Sequence, residues 1–169
     1  MEKRFNITGL CIPEKHYMVD ISGKLKQIGK MIDNGDYFTI NRARQFGKTT
    51  MLSSIRNQFS EKYMVIGISF EGIDDAFGSY ETFCQTFLEM LVGQLRYSDE
   101  QRRLLDEWKP QPVVSIKELS KEITKLNTLS PKPIILLVDE VDKSSDNQIF
   151  LGLLSVLRTK YLDMYQNKD

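Results

Sequence analysis

The sequence predicts an α/β fold, in which helices flank a parallel β-sheet. Short runs of β-branched and aromatic residues alternate along the chain with longer segments of helical periodicity. Parallel neighbours need long crossover connections, and the intervening helical segments supply them. The last apolar run, IILLV, does not alternate with polar residues, which is typical of a parallel strand covered on both faces. No internal repeat or linker interrupts the pattern, so residues 1–169 are predicted to form one domain.

Composition narrows the class of protein. Hydrophobic residues make up 41% of the chain and charged residues 27%, as a packed globular domain requires. The 23 basic residues equal the 23 acidic ones, so no overall positive field indicates nucleic acid. No apolar run approaches the roughly 18 residues of a membrane span. The two cysteines are too few for a disulfide framework, and a cytoplasmic location is expected.

The single histidine, His16, limits the metal chemistry that the chain can perform. A zinc centre with two histidine ligands is excluded, because no second histidine is present. A lone histidine is more often structural than catalytic, and His16 is expected to be structural.

The first predicted strand lies between two predicted helices. Apolar residues recur at helical spacing at Ile21, Leu25, Ile28 and Ile32. The residues DNGD then predict a helix end with Gly35 as its cap. The run YFTI, Tyr37 to Ile40, predicts a short buried strand. After a polar loop, one apolar face marks the second helix, with Met51, Leu52, Ile55 and Phe59.

A second strand and three further helices are predicted in the middle of the chain. YMVIGISF, Tyr63 to Phe70, has strand composition and ends in the turn-rich sequence EGIDDAFGS. A helical stripe follows, formed by Tyr80, Phe83, Cys84, Phe87, Leu91 and Leu95. Two capping-box patterns, Ser98 with Gln101 and Ser115 with Glu118, predict the starts of the next two helices.

The last strand and helix complete the predicted order. IILLV, Ile134 to Val138, is the third strand and ends in the acidic sequence DEVD. Ser145, three residues before Gln148, is the predicted cap of the last helix. The apolar face of that helix consists of Phe150, Leu153, Leu154, Leu157 and Tyr161.

The loop NRARQFGKTT, Asn41 to Thr50, matches half of a phosphate-loop signature. Gly47, Lys48 and Thr49 stand where Gly-Lys-Ser/Thr is required, whereas Arg42 replaces the usual first glycine. In such a loop, backbone N–H groups and a helix amino terminus surround a phosphate. Lys48 is expected to contact the phosphates, and the Thr49 hydroxyl is expected to bind Mg²⁺.

Arg42 leaves two possibilities open. A non-glycine residue with positive φ at this position costs about 1–3 kcal/mol, which nucleotide contacts can offset. With negative φ, Arg42 costs nothing. Arg42 and Arg44 then either add positive charge beside the phosphates or are solvated loop arginines.

The sequence IILLVDE supplies the second motif that ATP hydrolysis needs. Asp139 is expected to hold Mg²⁺ through a water molecule, and Glu140 to activate the attacking water as general base. Taken alone, DEVD fits an acidic surface turn equally well. Both motifs follow predicted strands, and the carboxyl ends of parallel strands share one edge of a sheet. Their co-occurrence predicts nucleotide binding.

Four blocks of the sequence resemble the AAA-ATPase-like family of bacterial and archaeal phosphate-loop proteins. They span almost the whole chain and read CIPEKHYMVDIS, YFTINRARQFGKTT, ISFEGIDDAF and LLVDEVDKSS. The phosphate loop of that family often begins with Arg. The resemblance implies a P-loop NTPase-like fold that binds ATP and Mg²⁺.

The resemblance also implies a role for each motif residue. Lys48 and Glu140 would be catalytic, and Thr49 and Asp139 would bind the metal. The nucleotide would contact the residues Arg44, Gln45, Phe46, Gly47, Lys48, Thr49 and Thr50. By family analogy, the adenine would lie near the segment from Ile12 to Tyr17.

Relatives of this type have further strands beyond the acidic one, including a strand between it and the phosphate-loop strand. Only 30 residues follow Asp139 here. The expectation is therefore an incomplete sheet, in a fragment of a longer polypeptide or a truncated reading frame. Family members often continue into a nuclease-like carboxyl-terminal region, so such a region or self-association is an expected partner.

The leading function predicted from the sequence is a Mg²⁺-dependent ATPase domain. The alternative is a nucleotide-sensing or interaction module that binds ATP with little turnover. A small-molecule kinase fits less well, because Glu140 suits water activation and no arginine-rich lid is present.

Overall fold

The computed structural model describes residues 3–5, 12, 14–17, 19–40, 47–140 and 148–166, the last four of these as backbone alone. The chain divides into two compact units, Met1–Glu61 and Lys62–Asp169, and the two are described in turn. No helix in the described ranges is long and apolar enough to cross a membrane.

Two helices form most of the described part of the first unit. Helix α1 spans Ser22–Asp33 and helix α2 spans Lys48–Phe59. The predicted apolar faces are confirmed, because Ile28, Met51 and Ile55 are buried. The predicted cap is also confirmed, since the Gly35 N–H donates to the Ile32 carbonyl at 2.9 Å.

His16 is structural, as its single occurrence predicts. It forms a parallel bridge with Arg4 and is 7% exposed. The Nδ1 atom of the His16 ring accepts the backbone N–H of Ile12 at 2.9 Å. The backbone N–H of His16 donates to the Ile12 carbonyl at 2.8 Å. The ring therefore closes a turn ahead of α1.

The segment Tyr37–Ile40 is not a β-strand, and that prediction is wrong for the described structure. Its residues alternate between exposed and half-buried, beginning with an exposed Tyr37. A strand is defined by hydrogen bonds to a neighbour, and the only sheet among the described residues pairs two later segments. Strand composition alone does not supply that neighbour.

The second unit is an α/β layer structure. Strand β1, Met64–Ser69, is followed by a short 3₁₀-helix over Asp74–Phe77 and by three helices, α3 (Tyr80–Gln94), α4 (Asp99–Trp108) and α5 (Ile116–Leu129). Strand β2, Ile134–Asp139, and helix α6, Gln148–Gln166, complete it. The predicted α/β class is thus confirmed as a two-stranded parallel sheet with flanking helices.

Serine side chains begin the helices where the sequence predicts. Ser98 and Gln101 form a reciprocal capping box at the start of α4, at 3.1 and 3.2 Å. The Ser115 hydroxyl accepts the Glu118 N–H at 3.3 Å, but the Glu118 carboxylate binds the N–H of Val114 instead of that of Ser115. The predicted cap at Ser145 lies outside the described residues.

The core of the second unit lies on one face of the sheet. One face of each strand contacts it, through Met64, Ile66, Ile68, Ile134, Leu136 and Val138. Phe70, which follows β1, packs with four other aromatic rings, those of Phe77, Phe83, Phe87 and Phe150. Every residue of β2 is only half-buried, whereas its composition predicts a strand covered on both faces.

Candidate functional site

A left-handed glycine stands at the start of α2. Gly47 precedes the helix with φ of 75° and ψ of 31°, in the left-handed region. This conformation strains residues that have a Cβ atom, so the backbone favours the glycine of the Gly-Lys-Thr sequence. The first α-helical bond runs from the Met51 N–H to the Gly47 carbonyl at 2.9 Å.

The amino terminus of α2 carries partial positive charge. The twelve-residue helix has no acidic residue in its first turn and no side-chain cap. The first N–H groups of an α-helix have no acceptor within the helix and point out of its amino terminus. The helix dipole favours an anion at that end. Lys48 and Thr50 are half-buried, whereas Thr49 is exposed. These residues have the donors that a phosphate group requires.

The rest of the predicted phosphate loop lies outside the described residues. This applies to Arg42, Arg44, Gln45 and Phe46, and both alternatives for Arg42 stay open. Of the segment expected near the adenine, Ile12 and residues 14–17 are described, and they form the turn around His16.

The second motif lies at the carboxyl end of β2. Asp139 is the last residue of the strand and pairs in register with Ser69, the last residue of β1. The Phe70 N–H donates to the Asp139 carbonyl at 3.2 Å. Asp139 therefore has a fixed backbone at the edge where ligands bind to parallel sheets.

Glu140 has an unusual backbone conformation. Its φ is 56°, one of two positive values among the described non-glycine residues, and the other belongs to Lys109. A non-glycine residue in this region costs about 1–2 kcal/mol. Its N–H donates to the Asp139 Oδ1 atom at 2.9 Å. Local strain of this kind is common at functional sites.

The residue types at the two motifs fit Mg²⁺. Mg²⁺ takes oxygen ligands and keeps several waters, and one or two carboxylates with substrate phosphates suffice to hold it. Oδ1 of Asp139 accepts a hydrogen bond, while Oδ2 has no donor among the described residues. Thr49 offers an exposed hydroxyl. In the described ranges, no group of three or more His, Cys, Asp or Glu side chains is placed to hold a metal ion.

The structure brings the predicted residues together in two groups. Gly47 to Thr50 form the start of α2 in the first unit, and Asp139 and Glu140 follow one another at the end of β2 in the second. Sequence reasoning missed Ser69, the partner of Asp139 in the sheet. The signal that could have found it is a polar residue at the end of the strand that precedes the acidic one.

Two other features of the second unit contain none of the predicted site residues. An apolar groove of about 490 Å³ lies between α3 and the Pro110–Val113 segment, with Leu88 and Val92 in its wall. Cys84 is buried in the core, and burial, with the nearby Glu118 charge, raises the pKa of its thiol to about 11. A thiol in such surroundings is a poor nucleophile.

Comparison with known proteins identifies the family. The family model described as an AAA-like domain matches residues 14–168, a range that includes both motifs. Comparisons with curated proteins and with solved structures gave no match. An AAA-like domain is consistent with nucleotide-binding, ATPase-like function. Because the match covers nearly the whole sequence, the chain belongs to the AAA-like domain family.

Proposed function

We propose that this chain binds ATP with Mg²⁺ and hydrolyses it, and that the residues of both motifs take part. The observation that carries the proposal is the family match, which extends over both the Gly47–Thr49 and the Asp139–Glu140 sequences. The left-handed Gly47 supports it, because this conformation turns successive backbone N–H groups toward an anion.

Each residue of the first motif has a separate task. The N–H groups at the start of α2 surround the β-phosphate, together with Arg44, Gln45, Phe46 and Thr50. Lys48 supplies a cation to the β- and γ-phosphates and is catalytic, since negative charge builds up there during transfer. The Thr49 hydroxyl is a metal ligand.

The second motif acts on the metal and on water. Asp139 would hold Mg²⁺ through a water molecule, and Glu140 would accept the proton of the attacking water. When bound, Mg²⁺ supplies positive charge that stabilises the phosphate oxygens. The positive φ of Glu140 supports this role, because strain of this kind persists where contacts fix a residue, and the Glu140 N–H donates to Asp139 Oδ1.

Location and partners belong to the same proposal. ATP and two cysteines without a disulfide framework both suit the cytoplasm. By family analogy, the proposed partner is a carboxyl-terminal nuclease-like region or a second copy of the chain.

The test combines nucleotide affinity with phosphate release. Binding is followed with a fluorescent ATP analogue and turnover with radiolabelled ATP, for the wild type, Lys48→Ala and Glu140→Gln. Lys48→Ala is expected to lose binding. Glu140→Gln is expected to keep binding and lose turnover by about a hundredfold or more, the range for a general base. Lys24→Ala and Glu107→Gln, at exposed helix positions, are the matched controls.

The outcomes separate the proposal from its alternative. Binding without phosphate release by the wild type would contradict hydrolysis and leave a nucleotide-sensing module. Unchanged binding in Lys48→Ala would contradict the nucleotide site itself.

A further inference from the structure

Ser69 and Asp139 are the last pair of residues in the parallel register of β1 and β2. Residues paired in this way present their side chains on the same face, with strands about 4.8 Å apart. The hydrogen bond from the Phe70 N–H to the Asp139 carbonyl, at 3.2 Å, continues the pairing past this point. Ser69 therefore has a fixed position beside Asp139.

The Ser69–Asp139 pair is the one polar rung among the six rungs of this described sheet. On the same face, the two preceding rungs are Val65 with Ile135 and Gly67 with Leu137. The opposite face consists of apolar side chains that lie in the core or pack against it. The sheet thus changes from apolar to polar only at its carboxyl end, where ligands bind.

The hydrogen bonds of the pair leave one donor and one acceptor available. The Ser69 hydroxyl oxygen accepts the Glu71 N–H at 3.2 Å, but its hydrogen has no acceptor among the described residues. Asp139 Oδ1 accepts the Glu140 N–H, and Oδ2 has no donor in the same part of the chain. Ser69 is also exposed, so solvent reaches its hydroxyl.

We propose that Ser69 is a positioning residue of the metal site, which donates a hydrogen bond to the carboxylate of Asp139 or to a water molecule held by it. This inference rests on the proposed function. Groups that hydrogen-bond metal ligands from outside orient those ligands, and their loss costs about 10–100-fold in metal affinity. Mg²⁺ keeps several waters, so such outer partners matter particularly for this ion.

The experiment measures metal binding instead of turnover. Mn²⁺ replaces Mg²⁺ as the probe, and its affinity in the presence of ATP is measured by electron paramagnetic resonance. Ser69→Val and Ser69→Thr are compared, because the two side chains have the same shape and only threonine keeps the hydroxyl. Ser155→Ala, at an exposed position of α6, is the control for loss of a serine elsewhere. Nucleotide affinity in EDTA is measured in parallel.

Ser69→Val is expected to weaken Mn²⁺ binding about tenfold, the lower end of the range for outer partners, while Ser69→Thr keeps it. Nucleotide affinity in EDTA is expected to stay at the wild-type value in both. Equal Mn²⁺ affinities for valine and threonine would overturn the role of Ser69 and leave the proposed function intact. A wild type that binds neither Mn²⁺–ATP nor ATP would overturn both.

Discussion

The backbone N–H of Phe70 donates a hydrogen bond to the carbonyl oxygen of Asp139, at 3.2 Å. The Phe70 side chain is 1% exposed and stacks on Phe83, with ring centroids 5.7 Å apart and an interplanar angle of 11°. It also meets Phe150 of α6 edge-on, at 6.2 Å. The aromatic cluster therefore fixes the backbone at the acidic end of β2 as well as filling the core.

Phe70→Leu is expected to increase local opening at the end of β2 by more than the loss of global stability explains. The substitution removes ring contacts and lowers the free energy of unfolding by about 1–3 kcal/mol. Amide hydrogen exchange at Asp139 and Glu140 should accelerate beyond that global change. Phe87→Leu is the control, since Phe87 is equally buried in the cluster but lies within α3. Equal exchange in the two variants would contradict the link.

Glycine is expected to be more stable than alanine at position 140. The positive φ of Glu140 costs alanine about 1 kcal/mol or more, whereas glycine adopts it without strain. Urea unfolding of Glu140→Gly and Glu140→Ala measures the difference. At Glu107, an exposed position in α4, the order should reverse, because glycine destabilises a helix by about 1 kcal/mol. If alanine is the more stable residue at both positions, residue 140 is not strained.

Gly47→Ala is expected to destabilise the chain through backbone strain. Among the described residues, a Cβ atom at Gly47 has no neighbour within 4 Å, so the expected cost comes from the φ of 75°. That cost is about 1–2 kcal/mol. Gly23→Ala in α1 is the matched control, since it also has open space but helical geometry, and it should stabilise by up to about 1 kcal/mol. Thermal unfolding of both variants tests this, and a neutral Gly47→Ala would contradict it.

The sequence predicted those features that depend on local chemistry. Helix starts at Ser98 and Ser115 followed from side-chain caps, and the face of α2 followed from the spacing of Met51 and Ile55. These signals lie within a few residues of one another, so a linear pattern contains them.

Features that depend on distant partners were harder to predict. Tyr37–Ile40 has strand composition but no β-pairing among the described residues, because pairing requires a neighbour that composition does not specify. Ser69 became a candidate only when the register placed it opposite Asp139. The strain at Glu140 is likewise a property of the chain in three dimensions, and no residue preference signals it.

Cys84 is expected to make stability fall at alkaline pH. Burial, with the charge of Glu118, raises the pKa of its thiol from 9.0 to about 11 in the folded chain. Well below pH 9.0 the thiol is protonated in both states, so it adds no pH dependence there. Between pH 9.0 and about 11 the unfolded thiol ionises while the folded one stays neutral, which favours unfolding.

The measurement is urea unfolding from pH 8 to 10.5 for the chain with and without Cys84→Ala, both in a Cys11→Ser background that removes the other thiol. The free energy of unfolding should fall more steeply with pH when Cys84 is present. Cys84→Ala lowers stability at every pH because it leaves a cavity, so the slope and not the absolute value tests the prediction. Parallel slopes would mean that the folded thiol ionises as readily as the unfolded one, in conflict with its burial beside Glu118.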